Sequence, residues 1–314
     1  MAAQLPFVVR ALRLEADDVM SVELAPEDGR AVPAWTPGAH VDLVVGDGTT
    51  RQYSLCGDPG ATVLRIAVLR EQAGRGGSAW VHDRLRPGDR VRLGGPRNHF
   101  ALEPAPEYLF VAGGIGITPL LPMLAQARAR GVAWRLHYFG RARQRMAFLG
   151  ELAPYGGRVR VHPSPEGSAP PLDGLVDGLP PGGLVYACGP QRLLDGLRAA
   201  MAAAGREDRL RTEHFAAPAG ADQGERGAFT VRLERSGIEV RVPAGRSALD
   251  VLTEAGAEIL SDCHEGICGS CETRVLSGAV DHRDHVLTPQ ERAAGDCMMP
   301  CVSRAAGDRL VLDL

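Results

Sequence analysis

Three cysteines at fixed spacing constrain this chain more than any other feature. Cys263, Cys268 and Cys271 lie in Asp262-Cys-His-Glu-Gly-Ile-Cys-Gly-Ser-Cys271, a C-x4-C-x2-C run. With a fourth cysteine some distance away, this is the spacing of a loop that wraps a [2Fe-2S] cluster. Thiolates are soft anionic donors suited to iron. Gly266 and Gly269 let the loop bend so that backbone N–H groups approach the cluster sulfurs. Cys297 and Cys301 are both thiols near the place where a fourth ligand is needed. Two other uses of cysteine compete: a structural zinc site, which usually pairs its ligands as two C-x2-C knuckles, and a disulfide pair in a secreted protein.

Composition narrows the class. The chain has 314 residues, 45% of them hydrophobic, which is enough for two or three domains with cores of their own. A formal net charge of -3 argues against nucleic acid as a partner. The start, Met-Ala-Ala-Gln-Leu-Pro-Phe, lacks the charged and apolar regions of a signal peptide, and no apolar run approaches the roughly 18 residues of a membrane span. A cytoplasmic monomer without a membrane partner is therefore expected. Cys56, Cys188 and Cys297 are scattered singly, which is not a disulfide framework.

Residues 1–103 read as short strands. Phe7 to Leu14, Val19 to Leu24, His40 to Val45, Arg51 to Leu55, Leu64 to Val68 and Arg90 to Leu93 are rich in β-branched residues and separated by Gly, Pro and Asp turns. That rhythm predicts a small antiparallel barrel. Within it, Arg51 offers a fixed fork for a phosphate, the ring of Tyr53 suits a flat aromatic ligand, and Ser54 carries a hydroxyl for a ring edge. Gly74-Arg75-Gly76-Gly77-Ser78 then opens a short helix through Leu85, exposing N–H groups to an anion.

From residue 104 strands and helices alternate, which predicts an α/β domain with a parallel sheet over 104–222. Tyr108 to Ala112 is a strand, followed by the turn Gly113-Gly114-Ile115-Gly116-Ile117-Thr118-Pro119 and a helix from Leu120 to Arg130. A later strand, Leu184 to Cys188, ends at Gly189-Pro190. Ligands of such sheets bind beyond the carboxyl ends of the strands, where both glycine turns fall.

These pieces carry a resemblance. Arg51-Gln52-Tyr53-Ser54 resembles the R-x-Y-S motif of ferredoxin-reductase-like flavin domains, which implies flavin contacts from Arg51, Tyr53, Ser54, Leu55, Ala67, Val68, Arg70, Gly76, Gly77 and Ser78. The turn Gly113, Gly114, Gly116, Ile117, Thr118, Pro119 together with Cys188, Gly189 and Pro190 is similar to the nicotinamide-nucleotide domain of those reductases. It implies that Thr118 and Pro119 lie between flavin and nicotinamide and that Cys188 lies near the reacting carbon. Gly140 and Arg141 would meet the adenine ribose. Beyond them the chain reads Ala142-Arg143-Gln144-Arg145, where relatives often carry an acid. Either arginine could accept the 2′-phosphate of NADPH, or both are simply solvated. NADH is expected.

Arg211-Thr212-Glu213-His214-Phe215 closes the domain, and the resemblance sets such an acidic-aromatic end, Phe215 included, against the flavin. A linker-like stretch runs from Ala216 to Gly227, and residues 226–314 form the last domain. From Cys263 onward the chain resembles a plant-type ferredoxin of α+β, β-grasp fold, and this resemblance selects Cys301, in Pro300-Cys301-Val302-Ser303, as the fourth ligand beside Cys263, Cys268 and Cys271. Cys297 then becomes a buried small hydrophobe.

Flavin barrel, nucleotide domain and C-terminal ferredoxin in this order resemble the phthalate dioxygenase reductase and vanillate demethylase reductase-subunit family over essentially the whole chain. The resemblance implies FMN, NADH (with NADPH possible) and a [2Fe-2S] cluster, passing electrons to a terminal oxygenase, favoured as Rieske-type. A redox partner of a cytochrome P450, or a self-sufficient oxidoreductase acting on a small acceptor, is the alternative. Residues 225–314 carry 15 Asp and Glu against 10 Arg, an acidic balance that would steer a basic partner.

Overall fold

The computed structural model of the chain describes residues 4–46, 48–72, 76–164, 172–215, 227–261, 263–287 and 289–314. Gly74, Arg75, Asp262 and the Ala216 to Arg226 stretch, all singled out above, lie outside the described residues. The chain divides into two compact units, Met1–Glu213 and His214–Leu314.

The first unit begins with six antiparallel strands, β1 (Leu5–Ala16), β2 (Val19–Pro26), β3 (His40–Val44), β4 (Thr50–Ser54), β5 (Leu64–Leu69) and β6 (Arg90–Arg97), in the order β4-β3-β6-β1-β2-β5. A bridge between Leu55 and Ile66 brings the two edges together, closing the predicted barrel. Alternation drives the closure: Val22, Leu24, Val41, Leu43, Leu64, Ile66 and Val68 point to one interior and are fully or almost fully buried. Helix α1 (Gly77–Arg84) lies between β5 and β6 and buries Val81.

Five parallel strands follow: β7 (Glu107–Gly113), β8 (Ala133–Gly140), β9 (Val159–Pro163), β10 (Leu184–Cys188) and β11 (Leu210–Glu213), in the order β11-β10-β7-β8-β9. Helices α2 (Leu120–Ala129), α3 (Leu149–Leu152), α4 (Asp173–Val176) and α5 (Gln191–Ala203) connect them. Helix α3 is a single α-turn that continues as a 3-10 segment, and Phe148 adopts the left-handed conformation at its start.

Barrel and parallel sheet belong to one compact unit because they share a core. Val19, Cys56 and Ala67 of the barrel are buried in the same cluster as Phe110, Leu120, Tyr138 and Phe148. Ion pairs cross the same junction, Arg65 with Glu151 at 2.6 Å and Arg145 with Asp18. Half-exposed pairs of this kind contribute about 0–1 kcal/mol each, against about 1.5–3 kcal/mol for a fully buried apolar side chain, so the apolar contacts hold the junction and the ion pairs fix its register.

The second unit is a mixed sheet. Strands β12 (Phe229–Leu233), β13 (Glu239–Val242), β14 (Thr273–Ser277), β15 (Val280–Asp281), β16 (Cys297–Met298), β17 (Arg304–Ala305) and β18 (Arg309–Leu312) form the order β13-β12-β18-β14-β16 and a separate β15-β17 pair. β12 and β18 run parallel and the other pairs are antiparallel. Helix α6 (Ala248–Glu254) is capped by Ser247, whose side chain accepts the Asp250 N–H, and it packs Leu252 into the sheet core. Helix α7 (Pro289–Ala294) precedes β16. This is the expected β-grasp arrangement, with the cysteine loop leaving the sheet between α6 and β14.

Among the described residues, no helix is long and apolar enough to cross a membrane.

Candidate flavin, nucleotide and iron-sulfur sites

Arg51 and Tyr53 are two apart on β4 and share one face, while Ser54 projects to the other. The register of β4 brings Arg51 to the start of α1. A Cβ placed on Gly77 would meet Arg51 Cγ at 2.8 Å and Nε at 3.0 Å, so the guanidinium stem lies across the first helical turn. Gly76 caps that helix at φ 84° with no side-chain cap and nothing within 4 Å of an added Cβ. Among the described residues, a cation and the first N–H groups of the helix therefore meet at one spot, as a phosphate needs. Ser78 Oγ accepts the Glu71 N–H at 3.1 Å and closes the preceding loop.

Other residues that the resemblance assigned to flavin have structural duties. Arg70 holds Asp83 through two bonds of 2.5 and 3.0 Å. Leu55 and Val68 are fully buried and Ala67 is 5% exposed, which leaves mainly their backbone atoms for a ligand. Desolvation pushes the Tyr53 phenol up to about 12, so the ring stays neutral. Arg51→Ala is expected to weaken flavin retention by about 1.5–3 kcal/mol, the worth of a charged hydrogen bond. Equilibrium dialysis of the released flavin measures it, and unchanged affinity would remove Arg51 from the phosphate site.

The two glycine turns meet at the carboxyl end of the parallel sheet. A Cβ on Gly113 would strike Pro190 Cδ at 2.5 Å, one on Gly116 the Cys188 carbonyl oxygen at 2.2 Å, and one on Gly189 Gly113 Cα at 2.8 Å. These three glycines let two turns interlock. Gly114 differs: it has φ 55° and faces open space, and so leaves room for a ligand to approach the backbone. Thr118 is 2% exposed and its hydroxyl donates to the Ile115 carbonyl at 2.9 Å, while Pro119 begins α2 and Ile117 is fully buried.

Gly140, at the end of β8, allows Met146 to pack on it, since a Cβ would meet Met146 Cγ at 2.5 Å. Arg141 is exposed. Arg143 and Arg145, read as phosphate acceptors or as simply solvated, are both exposed but differ in their contacts. Arg145 is tied to Asp18, and the Asp17 N–H donates to the Gln144 carbonyl at 2.9 Å, clamping this segment to the β1–β2 turn. Arg143 is exposed and lines an open groove with Arg13, Glu15 and Phe148.

Parallel pairing sets Glu213 beside Cys188, across β11 and β10. Cys188 Sγ lies 4.0 Å from Glu213 Oε2, and the Glu213 carboxyl is hydrogen-bonded to Ser54. Desolvation pushes Glu213 up to about 8 and, with the Glu213 charge, holds the fully buried Cys188 thiol well above its ordinary range. Ser54 from the barrel and Cys188 from the nucleotide sheet are thus joined by one protonatable carboxyl. The resemblance sets the acidic-aromatic end that contains Glu213 against the flavin, but its link to Ser54 and Cys188 appears only in the fold. Phe215 is 43% exposed and belongs to the second unit, where His214 is buried with its ring 6.2 Å from that of His285.

In the second unit the four selected cysteines converge as two pairs. Cys271 and Cys301 sulfurs are 3.3 Å apart, and Cys263 is hydrogen-bonded to Cys268. The backbone N–H groups of Glu265 and Ile267 point at Cys263 Sγ, that of Ser270 at Cys268 Sγ and that of Gly266 at Cys301 Sγ. Two thiol pairs with inward N–H donors fit a two-iron cluster, each iron taking two thiolates and the donors stabilising negative sulfur. Gly266, at φ 68°, is required twice over, since a Cβ there would also strike Val302 Cγ2 at 2.5 Å. Cys297 is only half-buried, on β16, where desolvation and the neighbouring Glu272, Asp296 and Glu291 raise its thiol to about 11.

Known proteins agree with this division. Residues 231–306 match the 2Fe-2S iron-sulfur cluster binding domain. Phenoxybenzoate dioxygenase subunit beta of Ectopseudomonas oleovorans is 43% identical over 310 residues, covering 98% of this chain and 96% of its own. The solved structure of phthalate dioxygenase reductase, described as modular for electron transfer from pyridine nucleotides to [2Fe-2S], is 38% identical with a TM-score of 0.71, covering 99% of this chain and 98% of its own. An intact type IV self-sufficient cytochrome P450 monooxygenase is 46% identical over 99% of this chain, with a TM-score of 0.86, and this chain spans 41% of that longer one. Similarity over the full length, together with the paired cysteines and interlocked glycine turns, means that this chain belongs to the family of phthalate dioxygenase reductase and vanillate demethylase reductase.

Proposed function

We propose that this protein is the reductase component of a multicomponent oxygenase or demethylase, carrying electrons from NADH through FMN and a [2Fe-2S] cluster to a Rieske-type oxygenase. The observation that carries it is the conjunction, in one chain, of the Arg51 and α1 anion site, the interlocked turns at Gly113–Gly116 and Cys188–Pro190, and the four-thiol loop. FMN suits the open start of α1, which meets a terminal phosphate. The flavin, when bound, converts a two-electron donor into single electrons for the cluster. The chain's own residues orient and insulate: Arg51 binds phosphate, Gly114 admits the nucleotide backbone-close, and Thr118 locks its turn. The Glu213 carboxyl, pushed up to about 8 by desolvation, stands between Ser54 and Cys188 Sγ, where it can take up or release a proton near neutral pH. The segments 1–103, 104–222 and 226–314 are the three corresponding functional modules.

A haem monooxygenase as the acceptor is the second reading, favoured by the P450 chain that contains a segment similar to this one. Anaerobic titration tests the scheme. NADH should bleach the flavin and then the cluster, at a lower concentration than NADPH, and the reduced protein should reoxidise on adding a Rieske oxygenase. Heat-released flavin that chromatographs as FAD, or reduction by NADPH alone, would overturn those assignments. Reoxidation by a P450 but not by a Rieske protein would favour the second reading.

A further inference from the structure

Asp284 is a carboxyl that none of the sites above uses, yet it is 1% exposed in the unit that holds the four thiols. Burying a charge costs several kcal/mol unless it is paired and hydrogen-bonded, so its partners are informative. Oδ2 accepts the N–H groups of Val286 at 3.2 Å and Leu287 at 2.9 Å. Oδ1 accepts the Ser303 hydroxyl at 3.4 Å, and His282 Nδ1 stands 3.7 Å away. Arg292 Nη2 is 3.6 Å from Oδ2 and also donates to the Asp284 carbonyl, while its Nε donates to the Leu287 carbonyl at 3.2 Å.

The same residue touches both parts of the cysteine site. A Cβ on Gly266 would lie 3.2 Å from Asp284 Cα, and the His285 N–H donates to the Gly266 carbonyl at 2.8 Å. Gly266 in turn directs its N–H at Cys301 Sγ. Ser303, the other partner, is two residues beyond Cys301. Asp284 therefore ties the loop carrying Cys263, Cys268 and Cys271 to the segment carrying Cys301.

We propose that Asp284 is a positioning residue for the iron-sulfur loop and that its charge, offset by Arg292, sets the reduction potential of the cluster. This rests on the [2Fe-2S] reading. One electron entering the cluster adds one negative charge to the loop. A carboxylate in the same low-dielectric interior opposes that charge and the guanidinium favours it.

The test is a spectroelectrochemical titration of the full chain. Asp284→Asn keeps an oxygen that can accept the Val286 and Leu287 N–H groups while removing the charge. Its equilibrium constant for one-electron reduction should rise about tenfold, a shift of about 59 mV toward positive potential. Arg292→Gln should move the potential the other way. A residue that only props the loop would give no shift, or shifts of one sign in both variants, and either result overturns the proposal. If Asp284→Asn fails to retain iron, Arg292→Gln decides alone: a fall in potential supports the proposal, and no change or a rise ends it. Iron and sulfide analysis of the unaltered protein tests the cluster reading separately. Two of each per chain, with unmoved potentials in the variants, would sink only the role of Asp284.

Discussion

Replacing Cys301 by serine is expected to bleach the visible iron-sulfur bands, while Cys297→Ser leaves them in place. The two thiols are four residues apart, so distance along the chain does not separate them. Their surroundings do. Cys301 is 8% exposed, lies 3.3 Å from Cys271 Sγ and receives the Gly266 N–H. Cys297 is on β16 and half-buried among Glu272, Asp296 and Glu291. An iron needs a sulfur already turned toward its partner ligand, and of the two thiols Cys301 is the one set against Cys271. Serine is a poor, hard donor for this centre, so nearly complete loss of cluster absorbance and of about half or more of the bound iron is expected. Iron analysis and the visible spectrum of both variants decide it. Bleaching in Cys297→Ser with colour retained in Cys301→Ser would reverse the ligand assignment.

Gly116→Ala should all but stop nucleotide-driven reduction while leaving the iron-sulfur spectrum untouched. The added methyl would meet the Cys188 carbonyl oxygen at 2.2 Å, and backbone on both sides cannot give way as a flexible side chain would. The two turns must separate. Overpacking of this kind costs about 1–3 kcal/mol in stability. A displacement near 1 Å at a site that aligns two reactants can cost about a hundredfold in rate. Gly114→Ala acts differently: it meets nothing within 4 Å, so the turns stay interlocked. Any loss comes from about 1–2 kcal/mol of strain at φ 55° and from the methyl standing where the nucleotide would approach, which weakens nucleotide binding rather than the limiting rate. Stopped-flow reduction by NADH measures both. A Gly116→Ala protein reduced at the normal rate would show that interlocking of the turns is dispensable.

The sequence by itself determined the order of the parts. Strands read by period-two alternation, the βα rhythm after residue 104 and the cysteine spacing are local patterns, and each element they predicted was found within a few residues. The same patterns named Arg51 and the α1 start as an anion site, because both signals sit in short contiguous runs. Tertiary structure decided which residues in those runs are available. Arg70 and Arg145 also look on paper ready for a phosphate, but they are held by Asp83 and by Asp18, partners 13 and 127 positions away in the sequence. The glycines that the resemblance assigns to nucleotide binding at Gly113, Gly116 and Gly189 are also contact surfaces between two turns, with Gly116 and Gly189 73 residues apart. Asp284 carries no motif, and Glu213 is marked only as part of an acidic-aromatic end that a resemblance sets against the flavin. What makes them matter is desolvation together with partners brought from other strands and loops, Ser54 and Cys188 for the first, Ser303 and Arg292 for the second. Spacing along a chain fixes local geometry and ligand sets, whereas the burial of a charge and the identity of its partner exist only once distant segments have packed.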